Sequence, residues 1–449
     1  MRTIRSGIFA ALALCATLAG CAGAGAGATQ LSPADLSALE AQRAQHPTDP
    51  DLQLRLAKAY YAANRFADAR KALAIVLTQQ PTNRVAQTYL GLSYEGMEQF
   101  DSARTIYTTL LSTKPSGEVG RLLNGRLTLL ARKELHAAAR ASLAHETDLS
   151  RTPPDPNTVA VFPFRYTGQD STLRPLERGL AALVVSDLSH VRRLRLVERE
   201  RLQALVDEMK LAESGRVDPA TGARSGHLVG AGQVVQGQYQ DAPGANIRLD
   251  ATMVRAGDAG VAATGSGRDP LSQLFDLEKS VVFQLLTKTG VPISPAESIA
   301  ISERPTKDLQ AFLLYSRGLE SQDKGDFRAA SADFKAAAQR DPSFQAAAQQ
   351  SQSSDAASSA SGTADNTLAA VVGGGSGAPS GGPPGGATQA LQLGINTTVP
   401  SGTTISDQIG SNPVSQPRTD PVCEAANCQG LPKGGPALIG TIIIIIQRP

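Results

Sequence analysis

The chain has 449 residues, enough for two or three domains at roughly 100–200 residues each. Its 43 basic and 41 acidic residues leave a net charge of +2, which excludes a nucleic-acid-binding surface spread over the whole molecule. With no Trp and only 4% aromatic residues, its cores must be built mainly from Leu, Val and Ala.

At the N-terminus, Arg2 and Arg5 precede an apolar run from Gly7 to Ala19, the layout of a secretory leader. That run is shorter than the roughly 20 apolar residues a membrane helix needs, so it reads as a leader and not as an anchor. It ends in Leu18-Ala19-Gly20-Cys21, which resembles a bacterial lipobox: a branched residue, two small ones, then a thiol. The resemblance implies cleavage after residue 20 and lipidation of Cys21, and several acyl chains hold a protein on a membrane without further help. An ordinary leader with a chance cysteine is the alternative. Ala22 stands where an inner-membrane retention signal would place Asp, which implies the periplasmic face of the outer membrane. Residues 21–30 then read as a lipidated flexible tether, since Ala22 to Ala28 are all Ala and Gly.

Pro47, Pro81 and Pro115 recur every 34 residues. Leu56, Ala57, Tyr60, Ala69, Leu73 and Val76 in one unit correspond to Leu90, Gly91, Tyr94, Ala103, Tyr107 and Leu110 in the next. Period and pattern are those of the tetratricopeptide repeat, a helix pair whose small residues let its two helices approach. The repeats are expected over 31–147, with a partial cap at Leu31 to Pro47 and a degenerate third unit at Glu118 to Glu146 that keeps Gly125 and Ala137. A further helix pair is expected over 306–344, on Leu314, Gly318, Phe327, Ala330, Phe334, Ala337 and Pro342. Such stacks hold a peptide or protein on the concave face formed by the first helices. Here Lys58, Tyr61, Arg65, Thr88, Leu92 and Glu95 are the candidate partner-binding residues, with solvated helix surface as the plain alternative for each.

Residues 157–295 change to a mixed pattern. Val159 to Phe164 reads as a buried strand, Leu173 to Leu188 as a helix, Leu194 to Val197 as a strand and Glu198 to Lys210 as a helix. Gln233 to Tyr239, Asn246 to Val254 and Ala259 to Gly265 follow as strands, joined by turns at Pro243-Gly244 and Gly257-Asp258, and a helix runs from about Leu271 to Lys288. The order Val159-Ala160-Val161-Phe162-Pro163-Phe164, Leu196-Val197-Glu198-Arg199 and Val229-Gly230-Ala231-Gly232 resembles the CsgG family of curli production and transport lipoproteins. That resemblance implies oligomerisation through this domain. Pore-forming members insert long hairpins, and a membrane strand needs about 9–11 alternating residues. The connections expected here, Gln240 to Ala245 and Thr264 to Pro270, are too short for that.

No phosphate loop, zinc-protease pair or nucleophile elbow occurs, and Gly230 and Gly232 precede a strand, the wrong order for a dinucleotide turn. The five histidines are scattered, and no cofactor or metal is expected. Glu198-Arg199-Glu200-Arg201 reads as a solvated face at a helix start. From Gln345 onward Ser, Gly, Ala, Gln and Pro dominate, so 345–449 is expected to be a low-complexity, disordered tail. Cys423 and Cys428 could pair as a disulfide in an oxidising compartment. Ile442 to Ile446 invites pairing with a sheet edge. The fold class is α+β: helical repeats, a CsgG-like α/β domain, one further helical repeat and a tail. The function that fits is a non-enzymatic, lipid-anchored envelope scaffold with a protein or peptide partner and no nucleic acid. A subunit of a CsgG-like secretion pore and an activator of a cell-wall synthase are the alternatives.

Overall fold

The structure, a computed structural model, describes residues 33–210 and 218–374. The leader, Cys21, Cys423, Cys428 and Ile442 to Ile446 lie outside the described residues.

Five helices open the chain: α1 (Pro33–Gln45), α2 (Pro50–Ala62), α3 (Phe66–Gln79), α4 (Arg84–Gly96) and α5 (Phe100–Ser112). Their starts are written locally. Asp49 accepts from the amides of Asp51 and Leu52 ahead of α2, where Pro50 needs no donor of its own, and Asn83 accepts from Ala86 ahead of α4. The repeat positions then interlock. Leu56, Ala57, Ala69, Leu73 and Val76 are fully buried, and a Cβ on Gly91 would fall 2.6 Å from the ring of Tyr107. Only a residue without a side chain lets α4 and α5 close to that distance.

The third unit is not a helix pair. Helix α6 (Gly117–Ala144) runs unbroken for 28 residues, about 42 Å at the usual rise, and short α7 (Glu146–Leu149) ends it. The expected turn has no glycine or proline to make it, because Arg126 to Leu143 lacks both and is built mostly of Ala, Leu, Arg, Lys and Glu, which are good helix formers. The first half of α6 completes the repeat stack; its second half leaves the stack and lies against the next domain.

That domain is a six-stranded sheet between helical layers. It comprises β1 (Asp155–Val161), β2 (Arg165–Tyr166), α8 (Leu176–Ser189), β3 (Arg195–Leu196), α9 (Arg199–Glu208), α10 (Pro219–Val229), β4 (Ala231–Ala242), β5 (Asn246–Arg255), β6 (Val261–Pro270) and α11 (Leu274–Lys288). The strand order is β3-β1-β4-β5-β6, with β2 also on β4; β1 is parallel to β3 and β4, while β4, β5 and β6 form an antiparallel meander. Alternation along β1 decides the two cores. Val159 and Val161 face α8 and α11, whereas Ala160 and Phe162 face α9, α10 and the far end of α6.

The meander is longer than its sequence pattern suggests. Thr264 to Pro270, expected as a connection, is part of β6 and pairs with β5 as far as Pro270 opposite Asn246. The turn after β4 is tight, with Gly244 and Ala245 at positive φ. On the outer edge of β6, Lys288 donates to the Thr264 carbonyl, and the Gln284 amide both accepts from Ser266 and donates to it. Side chains of α11 thus occupy backbone groups that an added strand would need.

After α12 (Pro295–Ser302) come α13 (Leu309–Asp323) and α14 (Phe327–Arg340), the expected late repeat. A Cβ on Gly318 would fall 2.6 Å from the ring of Phe334, the same sixteen-residue relation as Gly91 to Tyr107. The tail does not begin at 345. Helices α15 (Gln345–Ser361) and α16 (Asp365–Val372) follow, and α15 packs between α14 and α6. Composition misled here because alanines on one face supply the burial: Ala347, Ala356, Ala357 and Ala360 are covered. The late repeat therefore does not stand alone. It joins the first stack through α15 and α6, and α13 lies on α8 of the sheet domain.

Candidate functional site

The concave face of the first stack is formed by α2, α4 and α6, and the structure distributes the six candidate residues unevenly over it. Lys58 is exposed, its ammonium 5.9 Å from the centre of the Tyr89 ring. Arg65 is exposed as well, paired with Glu40 at 3.1 Å and Asp68 at 2.8 Å and lying over the Tyr60 ring. Tyr61 is half-buried and donates its hydroxyl to Asp365. Thr88, Leu92 and Glu95 are buried, and Thr88 spends its hydroxyl on the Arg84 carbonyl.

The open groove expected at α4 is therefore filled, and the filling element is α16. Leu368, Ala369 and Val372 belong to the same apolar cluster as Tyr89, Leu92 and Leu123. Asp365 sits by Tyr61 and Arg126, near the end of α4, and a Cβ on Gly373 would fall 2.4 Å from Val85 at its start. Helix α16 thus runs antiparallel along α4.

One polar centre lies at the Asp365 end. Glu95 grips Arg126 in a two-pronged pair at 2.7 and 2.8 Å, and Arg126 gives its remaining terminal nitrogen to Asp365 at 3.0 Å. Lys133 adds a contact to Glu95 at 3.2 Å. Burial opposes the charge on Arg126, but Glu95, Tyr107 and Asp365 outweigh it and hold the guanidinium above its ordinary range. Burial and then Asp365 push Tyr89 up to about 12 and Tyr61 higher still. Both phenols stay protonated, and Tyr61 is the one that donates to Asp365. Arg126 and Asp365 were not singled out in the sequence, although Asp365, Leu368, Ala369 and Val372 carry the spacing of one helical face.

Two other charged clusters are closed. Arg199, expected on a solvated face, is buried and pairs with Asp323 at 2.6 Å, because α13 covers the start of α9. Arg178 reaches the same carboxylate at 3.4 Å, and Arg132 of α6 donates to the carbonyls of Gln322 and Asp323. In the sheet domain, Lys279 pairs with Asp187 at 2.5 Å, beside the fully buried Glu278. Burial raises Asp187 to about 6 against the pull of Lys279, and burial followed by the Asp187 charge raises Glu278 well above the carboxylate range. A carboxyl raised on folding stabilises the fold at low pH and loses that contribution as pH rises through its folded value. Stability is thus expected to fall as pH rises toward about 6, where Asp187 ionises, and to go on falling above that as Glu278 is forced to ionise. Glu278→Gln should flatten the part of that slope above about pH 6, read as denaturation midpoints across pH. Among the described residues, no group of three or more His, Cys, Asp or Glu is placed to hold a metal.

Comparison with known families divides the chain in the same way. Residues 141–240 match the model of the curli production assembly/transport component CsgG. Residues 30–89 match a tetratricopeptide repeat model. The first match runs from the end of α6 to β4, so the rest of the meander and α11 complete the sheet domain beyond it. The second covers α1, α2, α3 and the start of α4. No curated protein matches the chain. The two matches support a curli-related or protein-interaction role, and no described helix is long and apolar enough to cross a membrane.

Proposed function

We propose that the chain is a non-enzymatic scaffold of the cell envelope, lipid-anchored at Cys21 on the periplasmic face of the outer membrane. It holds a partner protein on its helical repeats and supports assembly or secretion of surface structures through its CsgG-like domain. The observation that carries this reading is the continuity of the two parts. The same α6 that closes the repeat stack packs its second half on α9 and α10, so a load on the repeats is transmitted directly to the sheet domain. A stiff rod shared between a binding surface and an assembly domain suits an adaptor, and oligomerisation through the sheet domain would multiply the attachment points.

The test is photocrosslinking in intact cells from Lys58 and Arg65, the exposed members of the six. Expected is an adduct with one envelope protein whose surface export falls when this chain is deleted. Adducts of the chain with itself alone, or steady channels from the purified protein in planar bilayers, would overturn the scaffold reading. Cys21→Ser is expected to release the chain from the membrane fraction, read by fractionation and by mass spectrometry of the N-terminal peptide.

A further inference from the structure

Helix α16 shows what the groove recognises. Its acidic first residue meets Arg126 and Tyr61, and its Leu368, Ala369 and Val372, three, four and seven positions on, enter the apolar cluster of α4. This is how an amphipathic helix docks in a groove, by anchors repeating on one face. The charge at the polar end points the same way. Without Asp365, that end holds Arg126 and Lys133 against Glu95 alone, one cation in excess, with Arg126 largely buried. Arg126 keeps Glu95, but its remaining terminal nitrogen would be left largely buried without an acceptor, so the groove asks for an acid at that position.

We propose that the groove of α2, α4 and α6 is a site for a partner helix with an acidic residue in its first turn and apolar residues three, four and seven further on. Helix α16 occupies it as a tethered stand-in that such a partner displaces. The proposal rests on the reading of the repeats as a partner-binding surface and names the chemistry of that partner. Displacement is feasible because α16 is short, with only eight residues, and three of its side chains are buried. Only residues 362–364 link it to α15, so its effective concentration at the groove is of millimolar order, and a partner must compete against that.

The experiment uses the full chain and a labelled peptide of residues 362–374 as the probe, followed by fluorescence anisotropy. In one variant, Leu368→Glu with Val372→Glu removes the apolar anchors of the resident helix. In another, Val85→Cys with Gly373→Cys is oxidised to hold α16 in place; the close approach of these positions allows the bond. The peptide is expected to bind the first variant about tenfold or more tightly than the unsubstituted chain. It should ignore the oxidised second variant and bind it after reduction only as weakly as it binds the unsubstituted chain, and a peptide carrying D365N should bind the first variant more weakly than the unaltered peptide does. Equal binding to the unsubstituted and opened chains, or binding to the oxidised variant, would place the peptide elsewhere and overturn the proposal. So would no binding to the opened chain. None of these results touches the scaffold reading, which fails on the crosslinks from Lys58 and Arg65.

Discussion

Asp323→Ala is expected to lower the unfolding free energy by about 3 kcal/mol, the low end of the cost of removing one partner from a buried ion pair. Arg199 keeps only 8% of its side chain exposed, and the substitution removes the closer of its two carboxylates, at 2.6 Å, leaving Glu200 at 3.1 Å on its other terminal nitrogen. Arg178 loses less, because its contact to Asp323 is the longer one, 3.4 Å, and Glu177 still meets it at 3.0 Å. Arg132 loses nothing directly, since it binds the backbone at the end of α13, where the helix carbonyls favour a cation. The loss is therefore predicted to be traced to Arg199, and a second substitution should show it. Arg199→Met combined with Asp323→Leu removes both charges and is expected to recover most of the stability, as replacing a whole buried pair by apolar residues does. The measurement is the denaturation midpoint of the three variants. A loss under about 1 kcal/mol for Asp323→Ala would mean that water reaches this junction and that α13 is not clamped to α8 and α9 by charge.

What the sequence could say about this junction was limited by distance along the chain. Arg199 and Asp323 are far apart in sequence, and a run of alternating charges at a helix start looks the same whether it faces water or α13. Local signals fared better. The 34-residue period, with small residues at Ala57 and Gly91, and the change of pattern at Val159 locate the repeats and the strands, because each is carried within a single repeat unit or a single strand. The third repeat unit was misjudged for the opposite reason. Gly125 and Ala137 fit a helix pair, yet the helix that packs on Gly125 is α15, supplied from far along the chain. The alanine- and serine-rich composition of α15 then hid its role, since it has few large side chains to announce a buried face. The groove residues followed the same logic. The position of α4 in the stack is legible, but what lies on it is not, because Asp365 to Val372 is a short segment between an Ala-, Gln- and Ser-rich stretch and a Gly-rich one.

The second large effect is predicted at Gly125, where two opposing contributions can be compared. In the interior of a helix, replacing Gly by Ala ordinarily stabilises by about 0.5–1 kcal/mol. At Gly125 the added Cβ would fall 2.0 Å from the carbonyl oxygen of Ala356 and 2.8 Å from the Cβ of Ala360. The first of these is backbone and cannot rotate aside, so α15 itself must move off α6; overpacking of this kind costs about 1–3 kcal/mol or more. Gly125→Ala is therefore expected to be a net loss, and Gly125→Val a larger one that detaches α15. Gly120, in the same helix, has nothing within 4 Å of its added Cβ. Gly120→Ala should accordingly stabilise by up to about 1 kcal/mol, giving two identical substitutions in α6 with opposite signs. Amide hydrogen exchange locates the effect. In Gly125→Val, residues 345–372 are expected to lose protection while α2 and α3 keep theirs, since α15 packs on α6 and α14 and not on those helices. Because α16 hangs from α15 by three residues, the same substitution should also loosen α16 over α4 and raise the affinity of the groove for the peptide of residues 362–374, although Gly125 is not a groove residue. If α15 lost its protection while the groove stayed closed to that peptide, α16 would be held by its own contacts with α4 and Arg126, and its docking would be independent of the helix that delivers it.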